Sequence, residues 1–157
     1  MKRIEEKVYD KLKTNKYTVA TAESCTGGLL AGKIINVSGA SDIISMSFVT
    51  YANEAKQELV NVKEETIEKY NVVSEEVAKE MAIGAMNRAK SEVGLSTTGL
   101  AGPGGGSKEL PVGTVCFGIS IKDKVYTYTK VFKNKSRQGV RKASVKFILG
   151  KLEEILE

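Results

Sequence analysis

Three stretches of this sequence carry residue types able to break a bond. The first is Glu23-Ser24-Cys25-Thr26-Gly27-Gly28. A hydroxyl on a sharp turn between strand and helix can be presented as a nucleophile. Backbone N–H groups of the helix start can hold a developing oxyanion or a phosphate. Glycines let a ligand approach the backbone. The plainer alternative is a Ser or Thr that merely caps the next helix. The second stretch is Tyr51-Ala52-Asn53-Glu54-Ala55-Lys56. A partly desolvated lysine beside a serine can lose its proton and act as a base; otherwise Lys56 is a solvated surface group. The third is Thr97-Thr98-Gly99-Leu100-Ala101-Gly102-Pro103-Gly104-Gly105-Gly106-Ser107-Lys108. Its glycines, Gly102 and Gly104 among them, suit a concave array of N–H groups facing an anion, or simply a surface loop. It is not a Walker loop.

What the sequence lacks narrows the chemistry further. The 157 residues contain no histidine and only two cysteines, Cys25 and Cys116. Ser-His-Asp and Cys-His mechanisms are therefore excluded, and a base must be Lys, Asp, Glu or Tyr. Too few Cys and His exist for an ordinary zinc site. Ser-Lys is the simplest nucleophile–base pair left. Without histidine to activate it, Cys25 reads as a packed thiol rather than a nucleophile.

The elements that must position these groups follow from periodicity. Ile4, Val8 and Leu12 recur at helical spacing, so the chain opens with a helix. Residues 17–22 and 45–51 read as strands, and 29–37 as a helix between them. Short helices are expected over 53–59 and 64–70. Ser74 is a good N-cap, followed by Glu75 and Glu76 in the positive first turn. That helix turns Val77, Met81 and Ala85 inward and runs to about residue 91. Residues 95–100 form a strand, 114–121 and 125–132 a hairpin, and 140–156 a closing helix with Val140, Phe147 or Ile148, Leu152 and Ile155 on one stripe. This order predicts a three-layer α/β/α single domain over 1–157, with a mixed, mainly parallel sheet. In such sheets ligands bind beyond the carboxyl ends of the strands. Residues 23–28, 51–56 and 98–107 all follow strand ends, so they are expected to share one site.

Charge adds a preference and little more. Lys and Arg number 24 against 19 Asp and Glu, a net +5, which favours an anionic partner. Residues 122–146 concentrate the excess, with Tyr126, Tyr128 and Phe132 interleaved as a nucleic-acid platform would require; solvated strand and helix faces are the alternative. Arg137 and Arg141 stand one helical turn apart and could grip an anion together. The segment Met1-Lys2-Arg3-Ile4-Glu5-Glu6-Lys7 has no apolar core, so no secretory signal or membrane span is expected, and a cytoplasmic setting with reduced thiols follows.

Five ordered motifs carry more than any of these signals. TAESCTGG at 21–28, FVTYANEAK at 48–56, VSEEVAKEMAIGA at 73–85, TGLAGPGGGS at 98–107 and PVGTV at 111–115 together resemble the CinA C-terminal domain family. Stand-alone members of that family are nicotinamide mononucleotide deamidases. The resemblance implies hydrolysis of the carboxamide of nicotinamide mononucleotide to nicotinic acid mononucleotide and ammonia. It implies Ser24 as nucleophile, Lys56 as general base, and Tyr51 as a residue orienting them. Thr98 falls at the family's TGxAGP threonine, within the loop that holds Gly102 and Gly104. Arg137 matches an arginine that meets the substrate phosphate, with Arg141 a turn later, and Thr26, Gly27 and Gly28 would add hydroxyl or backbone contacts. No cofactor and no metal are implied. A homo-oligomer such as a symmetric dimer is expected, and a nucleic-acid partner is not. The competing class is a non-catalytic module that binds a nucleotide or nucleic acid; it expects Lys56 to point into solvent.

Overall fold

The computed structural model describes residues 1–157. Five strands and six helices follow the chain: α1 Ile4–Asn15, β1 Val19–Glu23, α2 Leu29–Ile34, β2 Phe48–Val49, α3 Asn53–Val60, α4 Glu64–Tyr70, α5 Glu75–Ala89, β3 Val93–Gly99, β4 Thr114–Ile121, β5 Lys124–Val131 and α6 Arg137–Ile155. A 3-10 turn, Ala40–Asp42, lies between α2 and β2. The strands form one mixed sheet in the order β2-β1-β3-β4-β5. β1 pairs in parallel with both β2 and β3, whereas β3-β4 and β4-β5 are antiparallel. Helix-linked strands run parallel and the hairpin cannot, so the sheet changes sense where the connections shorten.

Helices cover both faces. On one face α1, α2 and α6 close a core with β1, β3 and β4, built from Leu12, Leu30, Ile34, Leu95, Phe117, Ile119, Ile148, Leu149 and Leu152. On the other, Val77, Met81 and Ala85 of α5 pack with Ala20, Ala22, Val60 and Val62. The α5 backbone lies very close to the sheet. A Cβ on Gly94 would stand 2.0 Å from the Ala82 carbonyl, and one on Gly118 2.4 Å from that of Ala78. Only glycine permits that approach.

Element ends differ from the sequence expectation where a polar group intervenes. β1 starts at Val19 because the Tyr17 N–H still bonds the Leu12 carbonyl at the end of α1. β2 is only two residues long, since the Ser47 hydroxyl, and not a strand carbonyl, accepts the Thr21 N–H. α2 stops at Ile34. α6 begins three residues early because Ser136 is its N-cap and accepts the Gly139 N–H at 3.0 Å. This puts Arg137 in the first turn and Arg141 one turn on.

One consequence fixes the site. The last parallel rungs align Glu23 with Val49 and with Thr97. The carboxyl ends of β1, β2 and β3 therefore finish on one edge, and the segments after them meet there.

Candidate active site

Ser24 is the first residue beyond β1. Its N–H donates to the Thr97 carbonyl at 3.0 Å, and the Glu23 carbonyl accepts the Thr50 N–H at 2.8 Å. The ladder thus continues one rung past the strand ends. It fixes Ser24 relative to the backbone on both sides.

The capping role that a Ser or Thr could have taken belongs to Glu23. α2 starts from Gly28, a left-handed residue at φ +102 with no side-chain cap. Glu23, 1% exposed, folds under the helix start instead. Its carboxylate accepts the N–H groups of Gly28 (3.1 Å), Leu30 (2.8 Å) and Ala31 (2.9 Å) and the hydroxyls of Thr21 (2.9 Å) and Thr26 (2.7 Å). A negative charge at a helix N-terminus is favourable, and five donors replace the lost water. Thr26 also accepts from the Thr97 hydroxyl at 2.8 Å. With α2 capped from behind, the Ser24 hydroxyl is free to face outward.

What it faces is Lys56. This lysine lies in the first turns of α3 and is 1% exposed. Its Nζ is 3.2 Å from Ser24 Oγ, 2.8 Å from the Thr50 carbonyl and 3.1 Å from the Tyr51 carbonyl. No carboxylate lies within ion-pair reach of it. Burial pushes the ammonium pKa below its ordinary 10.5, against smaller opposing effects of Cys25 and Glu54. A neutral amine has two hydrogens and one lone pair. With both hydrogens on the two carbonyls, the lone pair is left for the Ser24 hydroxyl. Cys25, by contrast, is pushed up to about 11 by burial and remains a thiol.

A cleft of about 240 Å³ opens in front of the pair. Ser24, Tyr51, Lys56, Thr98, Gly102, Gly104 and Arg137 all line it. Thr98 is buried and donates to the Val72 carbonyl at 2.9 Å. Arg137 spans the mouth, donating to the Gly102 carbonyl at 2.8 Å and to the Tyr51 hydroxyl at 3.2 Å. Tyr51 therefore meets Lys56 through its carbonyl, while its exposed ring and hydroxyl belong to the mouth. No backbone carbonyl accepts the N–H groups of Cys25 or Thr26, and Cys25 itself borders the cleft.

Thr26, Gly27, Gly28 and Arg141 do not line the cleft. They build the turn behind it. Arg141 donates to the Cys25 carbonyl at 2.9 Å and the Thr26 carbonyl at 3.2 Å, clamping the turn to α6. Gly27 sits at φ +54, and a Cβ there would come within 3.3 Å of the Arg141 guanidinium. Asn53, Val72, Val73, Gly99, Leu100 and Ala101 complete the cleft wall. Asn53 was within sight in the 51–56 stretch; the valines gave no chemical signal.

The basic stretch does not form a stacking platform. Tyr126, Tyr128 and Phe132 are partly buried against the core, and Tyr128 and Phe132 meet the Phe147 ring edge to face. No group of His, Cys, Asp and Glu has a metal-holding arrangement, and no helix is long and apolar enough to cross a membrane.

Comparison with known proteins places this arrangement in context. The family model described as CinA C-terminal domain matches residues 1–156. A CinA-like protein of Fusobacterium nucleatum is 46% identical over 156 residues, which are 98% of this chain and 38% of that protein. The chain thus spans well under half the length of that relative. The crystal structure of the competence/damage inducible protein CihA from Agrobacterium tumefaciens superposes with a TM-score of 0.93 at 35% identity, covering 98% of this chain and 96% of that one. A competence-damaged protein (CinA) superfamily structure from Escherichia coli gives 0.92 at 36% identity, covering 98% and 91%.

Proposed function

This chain belongs to the CinA C-terminal domain family, and on that premise we propose that its cleft hydrolyses the carboxamide of nicotinamide mononucleotide, giving nicotinic acid mononucleotide and ammonia. The observation that carries the proposal is Lys56: buried, without a carboxylate partner, and 3.2 Å from Ser24 Oγ. A lysine held this way is a poor structural cation and a good base.

The geometry supports the following steps. Neutral Lys56 takes the Ser24 hydroxyl proton as Oγ attacks the carboxamide carbon. The N–H groups of Cys25 and Thr26, which no backbone carbonyl accepts, are the nearest donors in sequence for the resulting oxyanion. The Lys56 ammonium returns its proton to the nitrogen, the C–N bond breaks, and ammonia leaves. Water then attacks the ester with Lys56 again as base, freeing the carboxylic acid and Ser24. The Thr50 and Tyr51 carbonyls hold Nζ in place throughout.

Closed ligand sites commonly enclose ~300–1,000 Å³, more than the 240 Å³ found here. A pyridine ring with its carboxamide fills such a cleft, and the ribose phosphate projects past the mouth. Arg137 stands there with N–H groups to spare for a phosphate. In this scheme Thr26, Gly27, Gly28 and Arg141 hold the nucleophile turn, and Thr98, Gly102 and Gly104 shape the opposite wall. We extend the proposal to a symmetric dimer as the working form.

Ammonia release from nicotinamide mononucleotide tests the proposal. Wild type should release it, and Ser24→Ala and Lys56→Ala should not, while all three melt alike. A folded wild type that binds the nucleotide without releasing ammonia would leave a binding module and sink the amidase.

A further inference from the structure

A second and larger cavity, about 510 Å³, opens on the face made by α1, α2 and α6. None of its lining residues borders the Ser24 cleft. Arg3, Lys33, Lys142 and Lys146 supply four cations, and Glu5 supplies one carboxylate. Ile4, Leu29 and Val145 give it an apolar floor.

Glu5 is the anomaly. Its side chain is 1% exposed, yet neither carboxylate oxygen makes a hydrogen bond. Arg3 and Lys33 approach only Oε1, at 3.4 and 3.8 Å, too far for hydrogen bonds of full strength. Glu23 shows how this fold treats a carboxylate it buries for structure: five donors surround it. Buried polar atoms without partners are rare, and each calls for an occupant.

We propose that this cavity binds a phosphorylated polyol, with Glu5 accepting from a hydroxyl and the lysines holding the phosphate. A bare anion does not suffice, because it brings no donor to the Glu5 carboxylate. A cation does not fit, because four positive side chains surround it. A ligand with a donor at one end and an anion at the other satisfies both. The site is independent of the amidase proposal.

Calorimetric titration with ribose 5-phosphate tests this, with ribose, inorganic phosphate and adenosine monophosphate as parallel arms. Ribose 5-phosphate should bind saturably, and more tightly than ribose or phosphate alone. Equal binding of adenosine monophosphate would identify a nucleotide as an equally good source of the same chemistry. Glu5→Leu should weaken binding about tenfold or more, the loss of a hydrogen bond to a charged group. It should melt no lower than wild type, because an unsatisfied buried charge is removed. Lys142→Ala with Lys146→Ala should weaken binding to a similar degree and flatten its salt dependence, while Arg137→Ala should leave it unchanged. Four results overturn the proposal: no binding at millimolar ligand, phosphate binding as well as the sugar phosphate, loss of binding in Arg137→Ala alone, or a Glu5→Leu protein that melts far lower.

Discussion

Glu23 and Lys56 are both ionisable side chains buried to 1% exposure, and both lie at the carboxyl edge of the sheet. They are treated in opposite ways. Glu23 has five donors and a helix N-terminus around it. Lys56 has a hydroxyl and two neutral carbonyls. A carboxylate so fully bonded holds the turn in place. A charge buried with no opposite charge is easily given up, which suits the chemical role proposed for it. Ser24 stands between them: Glu23 frees it from capping duty, and Lys56 is the base proposed to take its proton.

Substitutions should separate the two roles. The largest effect belongs to the chemical side: Ser24→Ala and Lys56→Ala should each lower kcat/KM for nicotinamide mononucleotide by roughly 10,000-fold or more, with little change in melting temperature. Glu23→Ala should do the reverse and cost about 3–5 kcal/mol of stability in denaturant titration, since it orphans a set of buried donors. If Glu23→Ala melts normally but is inactive, the division of labour proposed here fails. Arg141→Ala removes two hydrogen bonds to the turn carbonyls, so stability should fall by about 1–2 kcal/mol and turnover should drop with it.

The pH dependence should carry the signature of Lys56. Its folded pKa lies below 10.5 because of burial. Between that value and 10.5 the unfolded chain holds a proton that the folded one lacks, so this site adds stability as pH rises across the window. Below the folded value the burial penalty is present in full. In Lys56→Met the slope should vanish, and wild-type kcat/KM should rise with pH as the neutral amine forms. The smallest effect is expected at the mouth: Tyr51→Phe loses one exposed hydrogen bond to Arg137 and should change kcat less than about threefold.

Ser24 and Lys56 stood out in the sequence because no histidine is available as a base and both follow strand ends, and the structure brings them to 3.2 Å. The sequence placed the strands, Ser74 as a cap and the inward face of α5 for the same reason: those signals are local. The rest depends on groups that meet only after folding. Glu23 looked like one acid among many, although an acid one turn ahead of a helix start was the available clue. The carbonyls of Thr50 and Tyr51 leave no side-chain trace in a sequence. The shortness of β2 is set by the Ser47 hydroxyl reaching across to Thr21. Arg141 was legible as a cation and not as the clamp of a turn 115 and 116 residues away.

Titration of the Lys56 side-chain nitrogen by NMR tests the central claim most directly. The resonance can be assigned by its loss in Lys56→Met. It should titrate clearly below the surface lysines, and below 10.5. A value at or above that of the surface lysines would mean that Lys56 stays protonated at working pH, contradicting its role as the base for Ser24.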